Sequence, residues 1–333
     1  MNKKILITGG AGYIGSVLCH DLLIENYKVT CVDNLMFGGK GIENLKKNKN
    51  FKFINVDIND KIEFLSILNF EKYDIVLHLA AIVGDPACKL NSELAIQTNW
   101  ETTKWLIDRC YQAKIPRFIF ASTCSNYGKM SNANIYVDEN SKLAPVSLYA
   151  ELKVKVEKYI LEEINKDEKF SPTCLRFSTV YGLSPRMRFD LTVNEFVKEL
   201  CLGRSLEVYG EQFWRPYCHV KDFAKAYMCV MNAPTHKVAY NVFNVGSTKE
   251  NYTKKMIIDE IKNSLPNINI NYVNQIDDPR DYRVNSDKIK IELGYNAEKT
   301  LKDGINEIKD AILEKKIINL DDQIYYNIPY NKK

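Results

Sequence analysis

The chain has 333 residues, a formal net charge of +4, 45% hydrophobic and 26% charged residues. This length and composition are typical of a globular protein with one large domain and a smaller lobe, or with two modest domains. No stretch gathers lysines and arginines with interleaved aromatics, so we expect no nucleic-acid partner. No apolar stretch approaches the roughly 20 residues that span a bilayer, so we expect no membrane partner and a cytoplasmic location.

The nine cysteines are scattered along the chain without paired CxxC spacing. An odd number in this arrangement argues against a disulfide scaffold and against a zinc site, so no metal is predicted. The first residues, Met1 to Ile5, lead into a short apolar run that ends in glycines. This pattern indicates a strand rather than a signal peptide.

The first half of the chain alternates apolar runs with helical periodicity. Runs typical of buried strands cover residues 5–7, 29–32, 51–56, 75–79, 118–121 and 173–177. Helical patterns cover residues 14–22, 62–68, 94–113 and 148–164. Alternation of this kind predicts an α/β fold, namely a Rossmann doubly wound parallel sheet with helices on both faces.

The pattern changes after Gly182, where loops with prolines and aromatics are mixed with helices. A helical pattern at 193–202 and a strand-like run at 241–246 precede a polar, mainly helical end. We therefore predict a smaller C-terminal substrate-binding lobe. The predicted division gives the Rossmann domain residues 1–178, rejoined by about 217–249, and gives the lobe residues 179–216 and 250–325.

A glycine motif, TGGAGYIG, lies between the first predicted strand and the first predicted helix. Gly9, Gly12 and Gly15 are spaced as GxxGxxG. Glycine allows a tight turn and a close approach of the backbone to a pyrophosphate, while the helix N-terminus offers unpaired N–H groups and a positive dipole end. A purely structural turn is the alternative, but the placement between strand and helix favours a dinucleotide site.

An acidic residue, Asp33, ends the second predicted strand. A carboxylate there accepts hydrogen bonds from ribose hydroxyls and repels a 2′-phosphate, so NAD is preferred to NADP. Asp57 follows the third strand, where an ordinary turn role is nearly as plausible. We expect further cofactor contacts from neighbours in the motif and at later strand ends: Tyr13, Ile14, Asn34, Asp57, Ile58, Leu79, Ala80, Ala81 and Asn99.

Two residues with acid–base chemistry, Tyr149 and Lys153, have the i, i+4 spacing that places them on one helix face. A nearby ammonium favours phenolate, which makes tyrosine a usable base at neutral pH. The lysine can also hold the nicotinamide ribose, so both residues are expected at the cofactor. A surface pair is the alternative, but this pair follows five strands of a nucleotide fold.

Several motifs together resemble the extended short-chain dehydrogenase/reductase family: TGGAGYIG, Asp33, HLAA, STCSNYG, YAELK and LRFSTVYG. Within it they are most similar to nucleotide-sugar epimerases, dehydratases and dehydrogenases, over nearly the whole chain. The resemblance implies that Tyr149 is the base, that Lys153 tunes it and that Thr123 is the third catalytic hydroxyl. It also implies hydride transfer from sugar C4 to NAD, and a homodimer formed through the helices near 94–113 and 148–164.

The chain departs from the dehydratases of that family directly after Thr123. Those enzymes carry an Asp-Glu pair there, whereas this chain has Cys124 and Ser125. Neither supplies an acid–base pair, so dehydration is disfavoured, and decarboxylation, which also uses a Glu in this stretch, is disfavoured too. A 4-epimerase returns the hydride to the other face of the ketone, and a 4-dehydrogenase releases the ketone. Both remain open.

Arginines are concentrated in the predicted lobe, and arginine binds phosphate oxygens bidentately. By the resemblance, Arg215 and Arg280 match diphosphate-binding positions, although surface salt bridges are the alternative for each. We expect the substrate to contact hydroxyls, a thiol, an amide and cations on both sides of the site: Thr123, Cys124, Ser125, Thr179, Arg186, Arg188, Asn194, Arg215 and Arg280.

The runs TVYGLSPRMRFDL, AAIVGDPACK and DPRDYRV resemble the GDP-heptose 4-dehydrogenases of bacterial capsule synthesis, and the whole chain is similar to UDP-glucose 4-epimerase-like enzymes. The sequence therefore predicts NAD-dependent oxidation at C4 of a nucleoside-diphosphate sugar, by a 4-dehydrogenase or a 4-epimerase of bacterial surface-polysaccharide synthesis. The alternatives are a 4,6-dehydratase, a 4-keto reductase and a non-catalytic dinucleotide sensor. Sensors tend to lose the tyrosine or the lysine, and this chain keeps both.

Overall fold

A computed structural model describes residues 3–129, 135–274 and 280–329. The strands in chain order are β1 Lys4–Thr8, β2 Lys28–Asp33, β3 Phe51–Asn55, β4 Ile75–His78, β5 Arg117–Thr123, β6 Tyr136–Val137, β7 Ser171–Phe177, β8 Thr179–Tyr181, β9 Leu206–Tyr209, β10 Trp214–His219, β11 Asn241–Val245, β12 Asn251–Thr253, β13 Ile270–Val273 and β14 Arg283–Val284.

The α-helices are α1 Tyr13–Ile24, α2 Lys61–Ile67, α3 Asp85–Leu90, α4 Ser92–Ile96, α5 Thr103–Gln112, α6 Leu148–Lys158, α7 Thr192–Cys201, α8 Val220–Asn232, α9 Thr235–Val238, α10 Lys254–Ser264, α11 Asp287–Leu293 and α12 Leu301–Leu313. Short 3-10 turns cover Lys40–Lys47, Phe70–Lys72, Cys124–Tyr127 and Gln323–Tyr325, and π-helical turns cover Gln97–Thr102 and Tyr159–Glu163.

Seven parallel strands form the central sheet in the order β11-β7-β5-β4-β1-β2-β3. The middle strands carry continuous apolar runs because helices cover both faces, and Ile5, Leu6 and Ile7 of β1 are fully buried. The order reverses between β1 and β4, and ligands of open α/β sheets bind beside the carboxyl ends of the strands at such a point. The prediction of a Rossmann doubly wound fold is confirmed.

Smaller sheets lie outside the central sheet, and most of their strands follow Gly182. β10 joins β8 and β12, β13 pairs with β9, and β14 pairs with β6. The chain then returns to the large sheet, because α8 packs on α1 and β11 pairs with β7. The smaller sheets and the later helices lie where we expected a substrate-binding lobe, while the residue limits of the two domains stay a prediction.

The long helical pattern at 94–113 corresponds to a continuous helical run, α4 to α5, interrupted by the π-helical turn Gln97–Thr102. Thr98 and Thr102 in this turn bond the side chain of Asn59 at 2.9 and 2.8 Å. A π-turn inserts one residue per helical turn and is frequent near functional sites. Here it turns Thr98 toward the crevice at the carboxyl ends of the strands.

None of the helices within the described residues is long and apolar enough to cross a membrane. All nine cysteines are free thiols, and seven of them, all but Cys201 and Cys229, are buried. The seven buried cysteines therefore serve as small core side chains, as their apolar surroundings in the sequence indicate.

Candidate active site

A cavity of about 440 Å³ opens at the carboxyl ends of β1, β2, β4 and β5 and extends to the smaller lobe. Most of the site residues that the sequence analysis predicted from separate motifs line this cavity. The nominated residues along its wall are Gly9, Gly12, Tyr13, Ile14, Gly15, Asp33, Asn34, Asp57, Ile58, Leu79, Ala80, Ala81, Thr123, Ser125, Tyr149, Lys153, Thr179, Arg186, Arg188 and Arg280.

Three of the predicted substrate residues, Cys124, Asn194 and Arg215, lie outside the cavity lining. Cys124 is buried behind the wall, and its thiol donates to the Arg176 carbonyl at 3.2 Å. Arg215 donates to the Trp214 carbonyl at 2.7 Å and lies over the Tyr282 ring. Both side chains therefore have partners within the fold, and their contact with the substrate stays a prediction.

Two nominated amides also lie behind the wall. Asn99 bonds both backbone groups of Ile82 at 2.8 and 2.9 Å and so supports the loop after β4. Asn194 accepts from the Gly182 amide at 3.0 Å and donates to the Tyr13 hydroxyl at 3.1 Å. In this structure both amides bond residues of the cavity wall or its support, and their role as ligand contacts stays a prediction.

The glycine loop has the shape that its sequence predicts. Gly9 has φ +76°, and a Cβ on it would lie 2.6 Å from the Ala80 nitrogen, so the loop packs directly against the end of β4. A Cβ on Gly15 would lie 2.3 Å from the Gly9 carbonyl oxygen. A Cβ on Gly12 would lie 3.3 Å from the Gly9 carbonyl oxygen, and no side chain caps the amides at the start of α1. Such a cradle fits a dinucleotide pyrophosphate.

The second cofactor feature is the carboxylate of Asp33. It accepts from the Ala11 amide at 3.0 Å and from the Leu35 amide at 2.8 Å. Burial raises its pKa, against the effect of these two amides. Asn34 donates to Asp57 at 2.9 Å beside it. Main-chain contacts thus fix a carboxylate where ribose hydroxyls of NAD would bind, and the residues present fit this cofactor.

The catalytic candidates project from the first turns of α6. Ser147 caps this helix by accepting from the Ala150 amide at 3.3 Å. Tyr149 therefore lies in the first turn, and Lys153 follows one turn later on the same face. The Lys153 ammonium donates to the Ala121 carbonyl at 2.7 Å and lies 5.8 Å from the centre of the Tyr149 ring. The helix start thus brings the pair to the end of β5.

The electrostatics of this pair differ from the sequence argument. Burial raises the pKa of Tyr149, whereas the sequence argument expected the nearby ammonium to lower it. Burial also lowers the pKa of Lys153 to about 8. The sequence argument considered only the effect of the nearby charge on the pKa of Tyr149. The loss of solvent on burial has the larger effect on both pKa values.

The third candidate hydroxyl is that of Thr123 at the end of β5. Its Oγ1 accepts from the Ser125 amide at 3.1 Å and so caps the short turn that follows. The sequence left open whether hydroxyls here face a substrate or cap a turn. Thr123 does cap the turn, and it also lines the cavity beside Ser125.

A buried ion pair behind the catalytic helix was missed by the sequence analysis. The carboxylate of Glu157, one turn after Lys153, pairs with Arg176 of β7 at 2.7 Å. Asn126 donates to it at 3.0 Å, and Ser122 also donates to it. The pair fixes α6 against the ends of β5 and β7. In the sequence, the i, i+4 spacing of Lys153 and Glu157 was the one indication that Glu157 lies on the same helix face as the lysine.

Asp85 is a second missed residue, and it lines the cavity near the catalytic helix. Its carboxylate accepts from Ser147 at 2.6 Å and from Arg280 at 2.8 Å. Arg188 on the opposite side pairs with Asp190 through two contacts of 2.9 and 2.7 Å. The signals for Asp85 were its place in the run AAIVGDPACK and its position in the segment that follows β4, where α/β proteins bind ligands.

Among the described residues, no cluster of three or more histidine, cysteine or acidic side chains could hold a metal ion. The cavity instead combines four kinds of group: an anion-binding glycine loop, a fixed carboxylate, a tyrosine–lysine–threonine set and arginines of the lobe. This combination suits a dinucleotide cofactor together with an anionic, hydroxyl-bearing substrate.

Comparisons with known proteins agree with this arrangement. A model of the NAD dependent epimerase/dehydratase family matches residues 5–246. An uncharacterized UDP-glucose epimerase, YtcB of Bacillus subtilis, is 31% identical over 319 residues, which cover 92% of this chain and 96% of the relative. A putative UDP-glucose 4-epimerase of Methanocaldococcus jannaschii is 30% identical over 311 residues, which cover 91% and 96%.

A solved structure gives the same result. The crystal structure of a UDP-glucuronic acid 4-epimerase from Bacillus cereus, in complex with UDP-glucuronic acid and NAD, has a TM-score of 0.78 and 26% identity. The match covers 94% of this chain and 99% of that one. The chain is therefore an enzyme of the NAD-dependent nucleotide-sugar epimerase/dehydratase family.

Proposed function

We propose that the protein is a 4-epimerase of a nucleoside-diphosphate sugar. It oxidises the C4 hydroxyl and returns the hydride to the opposite face of the resulting ketone. The observation that carries this proposal is the convergence of Tyr149, Lys153 and Thr123 on one cavity with the glycine loop. Two relatives that cover almost the whole chain bear names of UDP-glucose epimerases, which supports the same reaction.

In the proposed first step, the C4 hydroxyl bonds the oxygens of Tyr149 and Thr123. Tyr149 takes the hydroxyl proton while the C4 hydrogen leaves with its electron pair, which yields a C4 ketone. When bound, NAD would supply the hydride acceptor, and the glycine loop, Asp33 and Lys153 would hold it. The Lys153 ammonium, held by the Ala121 carbonyl, supplies a positive charge that favours the phenolate.

In the proposed second step, the ketone turns within the cavity and takes the hydride back on its other face. Tyr149 then returns the proton to the C4 oxygen, so no net oxidation occurs. This step needs no further acid or base. It needs room for the sugar to turn, and the sugar end of the cavity extends to lobe residues such as Thr179 and Arg188.

Dehydration would need an acid at C6 and a base at C5 of the sugar. The residue beside Thr123 on the cavity wall is Ser125, because the Cys124 thiol points to the Arg176 carbonyl. Asp85 is the carboxylate that contacts the catalytic helix, and it already accepts from Ser147 and Arg280. This arrangement favours hydride return over loss of water.

The substrate diphosphate is proposed to bind the arginines that line the sugar end, Arg188 and Arg280, because guanidinium groups bind phosphate oxygens bidentately. A 4-dehydrogenase is the second candidate, since the runs TVYGLSPRMRFDL and AAIVGDPACK resemble GDP-heptose 4-dehydrogenases. A role in bacterial surface-polysaccharide synthesis and a homodimer remain part of the proposal.

The decisive experiment incubates the purified protein with UDP-, dTDP-, CDP- and GDP-sugars in deuterated water. A new C4 stereoisomer without net NADH supports the 4-epimerase. Accumulated NADH with a ketone would identify the second candidate, the 4-dehydrogenase. Deuterium at C5 with loss of the 6-hydroxyl would contradict both and identify a dehydratase. Bound NAD without turnover of any sugar would contradict the enzyme proposal and leave a dinucleotide sensor.

A further inference from the structure

The last described residues of the chain form a segment, 321–329, that runs from the lobe to the cofactor cavity; we call it the C-terminal strap. Its start is anchored by charge, because Asp321 pairs with Lys198 at 3.0 Å and with Arg204 at 2.7 Å. Its middle is anchored by packing, because the buried Tyr325 ring meets Phe189 edge-on at 5.5 Å. The strap is thus fixed on the fold before it reaches the cavity.

At its far end the strap contributes to the cavity wall through Asn327 and Ile328. The Asn327 side chain accepts from the Arg186 guanidinium at 2.8 Å. The Asn327 amide donates to Asp190 at 3.3 Å, and Asp190 holds Arg188. Asn327 therefore joins the strap to the loop that carries Arg186 and Arg188.

Arg186 lies at the cofactor end of the cavity. Its guanidinium is 4.4 Å from the centre of the Phe37 ring, just after β2, and its Cβ lies 3.0 Å from where a Cβ on Gly41 would be. The same Gly41 position is 2.8 Å from the carbonyl oxygen of Ala11, within the glycine loop. The base of the Arg186 side chain therefore packs beside the glycine loop, while its guanidinium lies at Phe37 on the same side of the cavity.

The arginine also has an unused donor. Arg186 is only 4% exposed, and its Nε has no hydrogen-bond partner among the described residues. Burial, reinforced by Arg188, lowers its pKa to about 10. A buried cation with an unsatisfied N–H is costly, and an anion bound next to it would remove that cost.

We propose that the C-terminal strap retains NAD in this protein. Asn327 holds Arg186 against the cofactor pyrophosphate, and Ile328 covers the cavity beside it. NAD would then leave only when the strap detaches. This inference rests on the proposed 4-epimerase function and extends it. An epimerase returns the hydride from the same cofactor molecule, so a retained cofactor suits it better than a reaction that releases NADH. The retention itself does not depend on which sugar the enzyme uses.

The test measures cofactor release without any sugar. The full chain is loaded with NAD, gel-filtered and mixed with an NAD-hydrolysing enzyme, and the protected NAD is followed over time. We expect Asn327→Ala to release NAD about tenfold faster, since the lost bond involves a charged donor. A chain ending at Tyr326 should release it faster still. Asn263→Ala, an exposed asparagine on α10, is the matched control and should release NAD at the parent rate.

Thermal unfolding of the NAD-free proteins shows that each variant is folded. Parent-like release from both Asn327→Ala and the shortened chain would overturn the proposal. Arg186→Gln gives an independent reading, because it should accelerate NAD release. If it raises KM for the nucleotide sugar and leaves NAD release unchanged, Arg186 serves the substrate and the proposal is wrong. A failure of the epimerase assay leaves these release rates interpretable, so the two proposals fail separately.

Discussion

The two ends of the cavity are built differently: the end around Asp33 and Lys153, where we propose that NAD binds, and the end around Arg188 and Arg280, where we propose that the nucleotide sugar binds. We call them the cofactor end and the sugar end. At the cofactor end the main chain holds the functional groups: two amides orient Asp33, and the Ala121 carbonyl orients Lys153. At the sugar end side chains hold one another, as in the pair Arg188–Asp190 within one loop and the pair Arg280–Asp85 between two distant segments. The first end is fixed by backbone geometry, and the second by exchangeable ion pairs.

This difference has an energetic consequence. A group that main-chain contacts hold has no charged competitor, so its affinity for ligand depends on the group itself. An arginine that is already paired must exchange a carboxylate for a phosphate, so the net gain is the difference of two interactions. We therefore expect large effects of substitution at the catalytic and cofactor groups and small, sometimes favourable, effects at the sugar-end carboxylates.

The largest effect is expected from Tyr149→Phe. Removal of the proposed base should lower kcat by about 10³-fold, within the range typical of a positioned acid–base group. NAD content after gel filtration should match the parent, because the glycine loop and Asp33 are untouched. Turnover near the parent rate would mean that another group moves the C4 proton.

The next effect concerns Asp33 at the fixed end. Asp33→Asn removes the charge that would accept from the ribose hydroxyls, so NAD affinity should fall about 10- to 100-fold, the range for a bond to a charged group. The measurement is NAD binding by tryptophan fluorescence or calorimetry. Asp57→Asn is the matched control at the neighbouring strand end and should have a smaller effect. Equal losses in both variants would contradict the special role of Asp33.

The pH dependence of kcat/KM should reveal the lowered pKa of the buried Lys153. Burial holds the pKa of Lys153 at about 8, below its ordinary value near 10.4. The ammonium is present below that pH and is lost as pH rises through it, so kcat/KM should fall about tenfold per unit above pH 8. In Lys153→Arg the charge persists to higher pH, so any remaining activity should lack this fall. A parent profile that stays flat to pH 9.5 would contradict the assignment.

The same contrast explains what the sequence could predict. The glycine loop, Asp33 and the Tyr149–Lys153 pair were found because their chemistry follows from local spacing along one strand, turn or helix. The central sheet was found for the same reason, since its apolar runs recur along the chain. These are the features that the main chain itself positions.

The remaining groups depend on contacts between distant segments. Arg186 and Asn327 lie 141 positions apart, and Asp85 and Arg280 lie 195 apart, so no spacing rule joins them. Side-chain direction was also beyond the sequence, since Cys124 and Asn194 carry suitable polar atoms but turn them into the fold. The sequence also could not predict the effect of burial. Burial raises the pKa of Tyr149, whereas the spacing argument expected the pKa to be lowered.

The smallest effect is expected at the exchangeable end, from Asp85→Asn. This change removes the carboxylate that pairs with Arg280 at 2.8 Å, so a substrate diphosphate no longer competes with it. Because both side chains are partly exposed, the pair contributes at most about 1 kcal/mol, and KM for the nucleotide sugar should fall by up to about fivefold. Asp310→Asn is the control, because this exposed carboxylate on α12 lies outside the cavity lining and its loss should leave KM unchanged. Initial rates over a range of sugar concentrations measure both variants. A rise in KM in Asp85→Asn would show that the carboxylate binds the sugar directly, and the sugar end would then be as fixed as the cofactor end.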